Sequence, residues 1–137
     1  MNAGDEVSIL RLHLMRVGYL GTFVAVGIDV WPELINPGKP WDPIYGVAYS
    51  FWAAYSALMV LGVRYPLAML PLLILQLLYK SVWFIAVARP LWSAGQLDGV
   101  ARELTSVFAA ALVFDLIVIP WPYVIAHYVR KPGDRWR

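Results

Sequence analysis

Four apolar stretches, each long enough to cross a bilayer as a helix, take up most of this 137-residue chain. The hydrocarbon layer is about 30 Å thick and a helix rises about 1.5 Å per residue, so a span needs roughly 20 mostly apolar residues. The stretches run from about Ile9 to Trp31, Pro43 to Gly62, Leu67 to Ala88 and Val100 to Ile119. Lipid satisfies no bare backbone amide, so such segments fold as helices or closed barrels, and no β pattern is present. The expected architecture is an all-α, up-and-down four-helix membrane bundle, a single domain over residues 1–137. Composition agrees. Hydrophobic residues make up 61% of the chain and charged residues 15%, with a mean hydropathy of +0.63. An average soluble domain holds about 45–50% apolar and about 25% charged residues.

The breaks between stretches carry turn chemistry. Pro32 and the run "NPGKPWDP" are expected to end the first helix, and Pro43 is well placed to start the second. "VRYP" is a tight connection, which makes the second and third helices antiparallel neighbours. "RPLWSAGQLDG" leads into the fourth helix, and "PWP" kinks or breaks it, because Pro120 and Pro122 lack amide donors. Residues 120–137 read as an interfacial and cytosolic tail. The start, "MNAGDE", is acidic and is followed by no small-residue cleavage site, so the first stretch is expected to stay as a membrane helix.

Orientation follows from the basic residues. Arg11, Arg16, Arg64, Arg130, Lys131, Arg135 and Arg137 fall on one side, and Lys39, Arg89 and Arg102 on the other. This bias places both termini in the cytoplasm. Trp31, Trp41, Tyr45 and Trp92 then mark the outer interface, and Tyr65, Tyr123, Tyr128 and Trp136 the inner one.

The third stretch, "LPLLILQLLYKSVWFIAVARP", puts Gln76 and Lys80 one helical turn apart in hydrocarbon. Lys80 lies about 20 Å from the cytoplasmic end of its helix, and Asp115 about 22 Å from the outer end of the fourth, so their depths overlap. A central Lys or Asp costs ~2.5–3.5 kcal/mol on insertion scales, which pairing or water access reduces. Three readings follow: an ion pair that fixes helix register, a polar floor to a ligand cavity with Gln76, or a lysine that snorkels. Asp29, near the outer end of the first helix, is a second candidate partner for Lys80. Tyr45, Tyr49, Trp52 and Ser56 share one face of the second helix and suit either a ligand wall or core and belt packing. Gly18, Gly21, Ala25 and Gly27, with Ala53, Ala54 and Ala57, offer surfaces for close helix packing within the chain or between copies.

Several chemistries are excluded or unsupported. There are no cysteines, hence no disulfides, thiolate metal sites or thiol nucleophiles. The net charge of +2, with basic residues at chain ends, argues against nucleic acid. No nucleophile elbow, phosphate loop, zinc-protease helix motif or calcium loop occurs. His13 and His127 both fall near the cytoplasmic interface, where facing histidines can hold haem or a metal. Neither has a carboxylate at metal-ligand spacing, so no metal or cofactor is expected.

Two runs, "LGVRYPLAMLPLLILQLLYKSVWFIAVARPLWSAGQLD" and "IPWPYVIAHYVRKPGDRWR", resemble a family of small, uncharacterised bacterial four-helix membrane proteins. The likeness is carried by Arg64, Tyr65, Pro66, Leu70, Pro71, Lys80, Trp83 and the ending Pro132 to Trp136. It covers the C-terminal half well and the first helix loosely. It implies this topology and a bacterial inner membrane, and no activity. A similarity to DoxX-like four-helix proteins is at fold level only, and fold alone does not transfer function.

The function expected from these residues is non-catalytic. The chain would bind a lipid or other hydrophobic small molecule between its helices, or act as an accessory subunit beside a larger membrane partner. Gln76, Lys80 and Asp115 would anchor the ligand, with Tyr49 and Trp52 as walls. The alternatives are a membrane enzyme or redox accessory protein on a quinone-like or lipid substrate, with Lys80 and Asp115 as acid–base groups, or a homo-oligomeric transporter. Isolated polar sites give a monomer no continuous ion path.

Overall fold

The structure, a computed structural model, describes residues 7–136. The acidic start Met1 to Glu6 and Arg137 lie outside the described residues. Among the described residues the chain is all-helical: α1 Ile9–Ile35, α2 Pro43–Arg64, α3 Leu70–Ser93, α4 Gly99–Val118 and α5 Trp121–Arg130. The first three are each long and apolar enough to cross a membrane. α4 and α5 together pass the same test but are bent by 72° at the break between them.

The helix starts follow their caps. The Ser8 hydroxyl accepts the Arg11 amide at 3.2 Å, and the Asp42 carboxylate accepts the Tyr45 amide at 2.9 Å with Pro43 in the first turn. Two helices outrun the stops expected for them. α1 passes through Pro32 to Ile35, and its last turn closes from the Asn36 amide to the Pro32 carbonyl at 3.0 Å. Proline withholds one amide bond, but its fixed φ is helical, so a final turn after it can form. α3 passes Pro90 to reach Ser93. A π-helical turn over Phe84–Ala88, in which the Arg89 amide reaches back to the Phe84 carbonyl, widens the helix just before that proline. At the other end α3 begins at Leu70 and not at Leu67, because residues 65–69 are used as the turn from α2. Gly95 and Gly99 then turn the chain into α4 with φ of +68° and +50°, values that disfavour side chains with a Cβ.

α1 and α2 form the most extensive packed pair, α3 lies against α4, and α1 touches α4 more lightly. The buried core joins the two pairs through Met15 and Tyr19, Tyr55 and Met59, Leu70 and Leu73, and Val118 and Ile119. All eight lie towards the end that carries Arg11, Arg16 and Arg64, here called the basic end. The opposite end carries Trp31, Trp41, Tyr45 and Trp92 and is called the aromatic end.

Close approach at the basic end depends on two glycines. A Cβ on Gly62 would lie 2.2 Å from the Tyr19 ring, and one on Gly18 would lie 2.7 Å from Phe114. Tyr19, fully buried, also donates its hydroxyl to the Pro66 carbonyl at 2.8 Å, which ties α1 to the α2–α3 turn. Gly21 differs. A Cβ there would meet nothing within 4 Å, because α1 and α4 part at that level.

Candidate functional site

The polar residues of α3 and α4 meet in the middle of the bundle. Gln76 Nε2 donates to both oxygens of Asp115, at 2.9 and 2.7 Å. The Gln76 carbonyl oxygen accepts the Tyr55 hydroxyl from α2 and, at 3.2 Å, the Thr22 hydroxyl from α1. Four helices therefore contribute to one amide-centred network, and Asp115 is fully buried within it. An ionised carboxylate only accepts, so the amide turns its NH₂ to Asp115 and its oxygen to the two hydroxyls. This arrangement uses the amide at both ends.

Lys80, one turn along from Gln76, does not take the direct place beside the carboxylate that an ion pair requires. Its Nζ lies 5.3 Å from the centre of the Phe108 ring and 5.6 Å from that of Tyr79, within cation–π range. The Asp115 charge acts on it through space, with the amide as the direct partner of the carboxylate. The expected register pin is thus a Gln–Asp hydrogen-bonded pair with a lysine alongside. Asp29 stays exposed on α1, and the carboxylate that acts on Lys80 is that of Asp115.

Lys80, Gln76 and Thr22 open onto a lateral groove of about 300 Å³ between α1 and α4. Its walls are otherwise apolar or small, with Gly21, Ala25, Ala111 and Phe114 among them, and Val17 and Val107 form exposed rims. Gly21 and Ala25, expected as packing surface, border open space here. Tyr49 and Trp52 are not among the residues that line this groove. They belong to an aromatic ladder in which Tyr49 packs against Trp41, Tyr45 and Trp52 at centroid separations of 5.0, 5.2 and 5.6 Å. Tyr49, with Glu33, Lys39 and Asp42, lines a separate cavity of about 550 Å³ at the aromatic end. Ser56, on the expected ligand face, instead accepts the Trp31 indole at 3.2 Å and donates to the Ala53 carbonyl.

A second polar arrangement closes the basic end. Pro120 and Pro122 leave carbonyls of the last α4 turn without amide donors. Arg11 reaches across from α1 and donates to the carbonyls of Ile117 at 3.0 Å, Ile119 at 3.1 Å and Val118 at 3.5 Å, while the Trp121 indole takes Leu116 at 2.8 Å. Arg16 does the same for α2 through Val63 at 3.0 Å. Cations at helix C-termini also oppose the helix dipole. His13 lies 3.5 Å from Arg16, and His127 packs on Tyr123, so the two histidines serve different neighbours. Among the described residues no group of three or more His, Cys, Asp or Glu could hold a metal ion.

Sequence reasoning missed Tyr55, Thr22 and Arg11. Tyr55 lies off the Tyr45–Tyr49–Trp52–Ser56 face that drew attention. Its signal was that of any hydroxyl in an apolar helix, which needs a partner. Arg11 was counted only for topology, although a proline break with orphan carbonyls nearby called for a donor. No family model, curated protein or solved structure matches the chain.

Proposed function

We propose that this chain is a multi-pass protein of a bacterial inner membrane that binds one hydrophobic molecule in the groove between α1 and α4 and performs no chemistry on it. The observation that carries the reading is the groove itself, an apolar lateral opening whose floor holds Lys80 and Gln76. Ligand sites are typically apolar concavities with a few convergent polar groups, and about 300 Å³ is at the small end of their range. An intramembrane lysine that faces a cavity is a functional marker in its own right. Three helices are long and apolar enough to cross a membrane, and α4 with α5 passes the same test as a bent pair, which supports four crossings. The excess of Arg and Lys at one end favours a cytoplasmic location for both termini. Membrane lipids are the surroundings and the nearest source of ligand. The family likeness supports the bacterial membrane.

Native mass spectrometry after release from a mild detergent tests this. The wild-type monomer is expected to carry one stoichiometric extra mass, and Gly21→Leu, whose Cβ would meet nothing within 4 Å and whose side chain would occupy the groove, is expected to lose it. A bare monomer, or an adduct that Gly21→Leu retains, contradicts the reading. A bare dimer that Gly21→Leu disrupts would instead make the groove a contact between copies.

A further inference from the structure

Lys80 is 7% exposed, so more than nine-tenths of it is buried. Its ammonium carries three donors. Among the described residues it has two aromatic rings beside it and no hydrogen-bond acceptor. Ring faces answer part of the charge but are weak acceptors for N–H groups. A buried donor without a partner is costly in an apolar setting. No fully enclosed polar side-chain atom lacks a partner among the described residues, so the ammonium is not sealed in, and the cavity beside it is the groove. The groove therefore presents an unused, charged donor to whatever occupies it.

Charge decides what kind of acceptor fits. Asp115 is buried behind Gln76, both its oxygens occupied by the amide, and its charge already acts on Lys80. The formal charges of Lys80 and Asp115 cancel, one basic and one acidic group. An anionic headgroup entering from the groove would lose its own hydration, and the lysine it meets is already compensated, so little is regained. A cationic headgroup meets Lys80 first. A plain hydrocarbon leaves the three donors idle. An uncharged acceptor oxygen satisfies Lys80 and leaves the balance intact.

Building on the groove reading above, we infer that the site selects uncharged lipophiles bearing a carbonyl oxygen, the class that includes fatty esters and quinones, with Lys80 Nζ donating to that oxygen. The three N–H groups, the two rings beside the ammonium and the small residues at Gly21 and Ala25 together define a slot for a chain or ring whose oxygen points at α3.

Three probes of matched length separate the possibilities: methyl palmitate, the permanently anionic hexadecanesulfonate, and heptadecane. The full chain in nanodiscs is loaded with tritiated methyl palmitate, and each unlabelled probe is added as competitor. One saturable site is expected, with heptadecane and hexadecanesulfonate each needing at least ~10-fold more than the ester to displace the label, the scale of one hydrogen bond from a charged donor. Lys80→Met is expected to weaken the ester about 10-fold. Because that change leaves Asp115 uncompensated, the double variant Lys80→Met, Asp115→Asn is measured beside it and should show the same loss. If hexadecanesulfonate or heptadecane competes as well as the ester, or if both lysine variants bind the ester like wild type, the selectivity is overturned while groove binding stands. If no saturable site appears, or Gly21→Leu binds the ester unchanged, the groove reading fails and the selectivity with it.

Discussion

The basic end and the middle of the bundle solve the same problem in different ways. Both hold polar groups in an apolar setting, where each unpaired group is costly. At the basic end α1 is tied to its neighbours by side chains that end on backbone: Arg11 on the end of α4, Arg16 on the end of α2, Tyr19 on the α2–α3 turn. There the helices close to contact, with Tyr19 pressed onto Gly62. In the middle the ties run between side chains, through one amide, and the helices beside it part to leave the groove. One end holds the fold together. The middle leaves a basic donor beside the groove.

Five substitutions test how sharp this division is. Gln76→Leu should cost most, about 3–5 kcal/mol, because it strips the partner from a fully buried carboxylate. The readout is the melting temperature in detergent, and a drop no larger than that of a surface control would mean that Asp115 finds another partner. Gly62→Ala should come next at about 1–3 kcal/mol, since the new methyl overlaps the Tyr19 ring, which is fully buried and tied to the Pro66 carbonyl. Its counterpart Gly21→Ala should gain up to about 1 kcal/mol, as alanine is the better helix former and the space is open. Equal effects at the two glycines would erase the distinction between closed end and open middle. Arg11→Met should cost about 1–3 kcal/mol, with faster hydrogen exchange confined to α5 and the last turn of α4, because the Ile117 carbonyl loses its donor and that of Ile119 keeps only the Trp121 amide. Ser56→Ala should cost least, about 0.5–1.5 kcal/mol, by taking the acceptor from the Trp31 indole. Trp31 is half exposed at the rim, so a change in tryptophan emission with little change in melting temperature is the expected pattern.

Much of the fold was legible because lipid-length apolar runs admit few structures and turn residues mark their ends. The three stretches that became α1, α2 and α3, and the break at "PWP", could be read directly. The extensions past Pro32 and Pro90 could not. Whether a proline stops a helix depends on whether a wider turn or a late position absorbs it, and local sequence does not record that. At the site, Gln76, Lys80 and Asp115 stood out as polar residues at one depth. Their internal order did not. Depth arithmetic places a lysine and a carboxylate at the same level but cannot show that an amide intervenes, since that depends on helix rotation. The spacing of Tyr49 and Trp52 on one face suits either a ligand wall or core and belt packing, and the face packs on itself and on Trp41, away from the groove.

The most direct test of the account is isotope-edited infrared spectroscopy of methyl palmitate labelled with ¹³C at its carbonyl, bound to the protein in nanodiscs. A hydrogen bond from Lys80 predicts that one equivalent of the carbonyl band moves to lower wavenumber on binding wild type. The band should return to its free position in the Lys80→Met, Asp115→Asn variant. A bound ester whose carbonyl band stays at the free position in wild type would contradict the account, because the ligand would then lie in the groove without using the lysine that faces it.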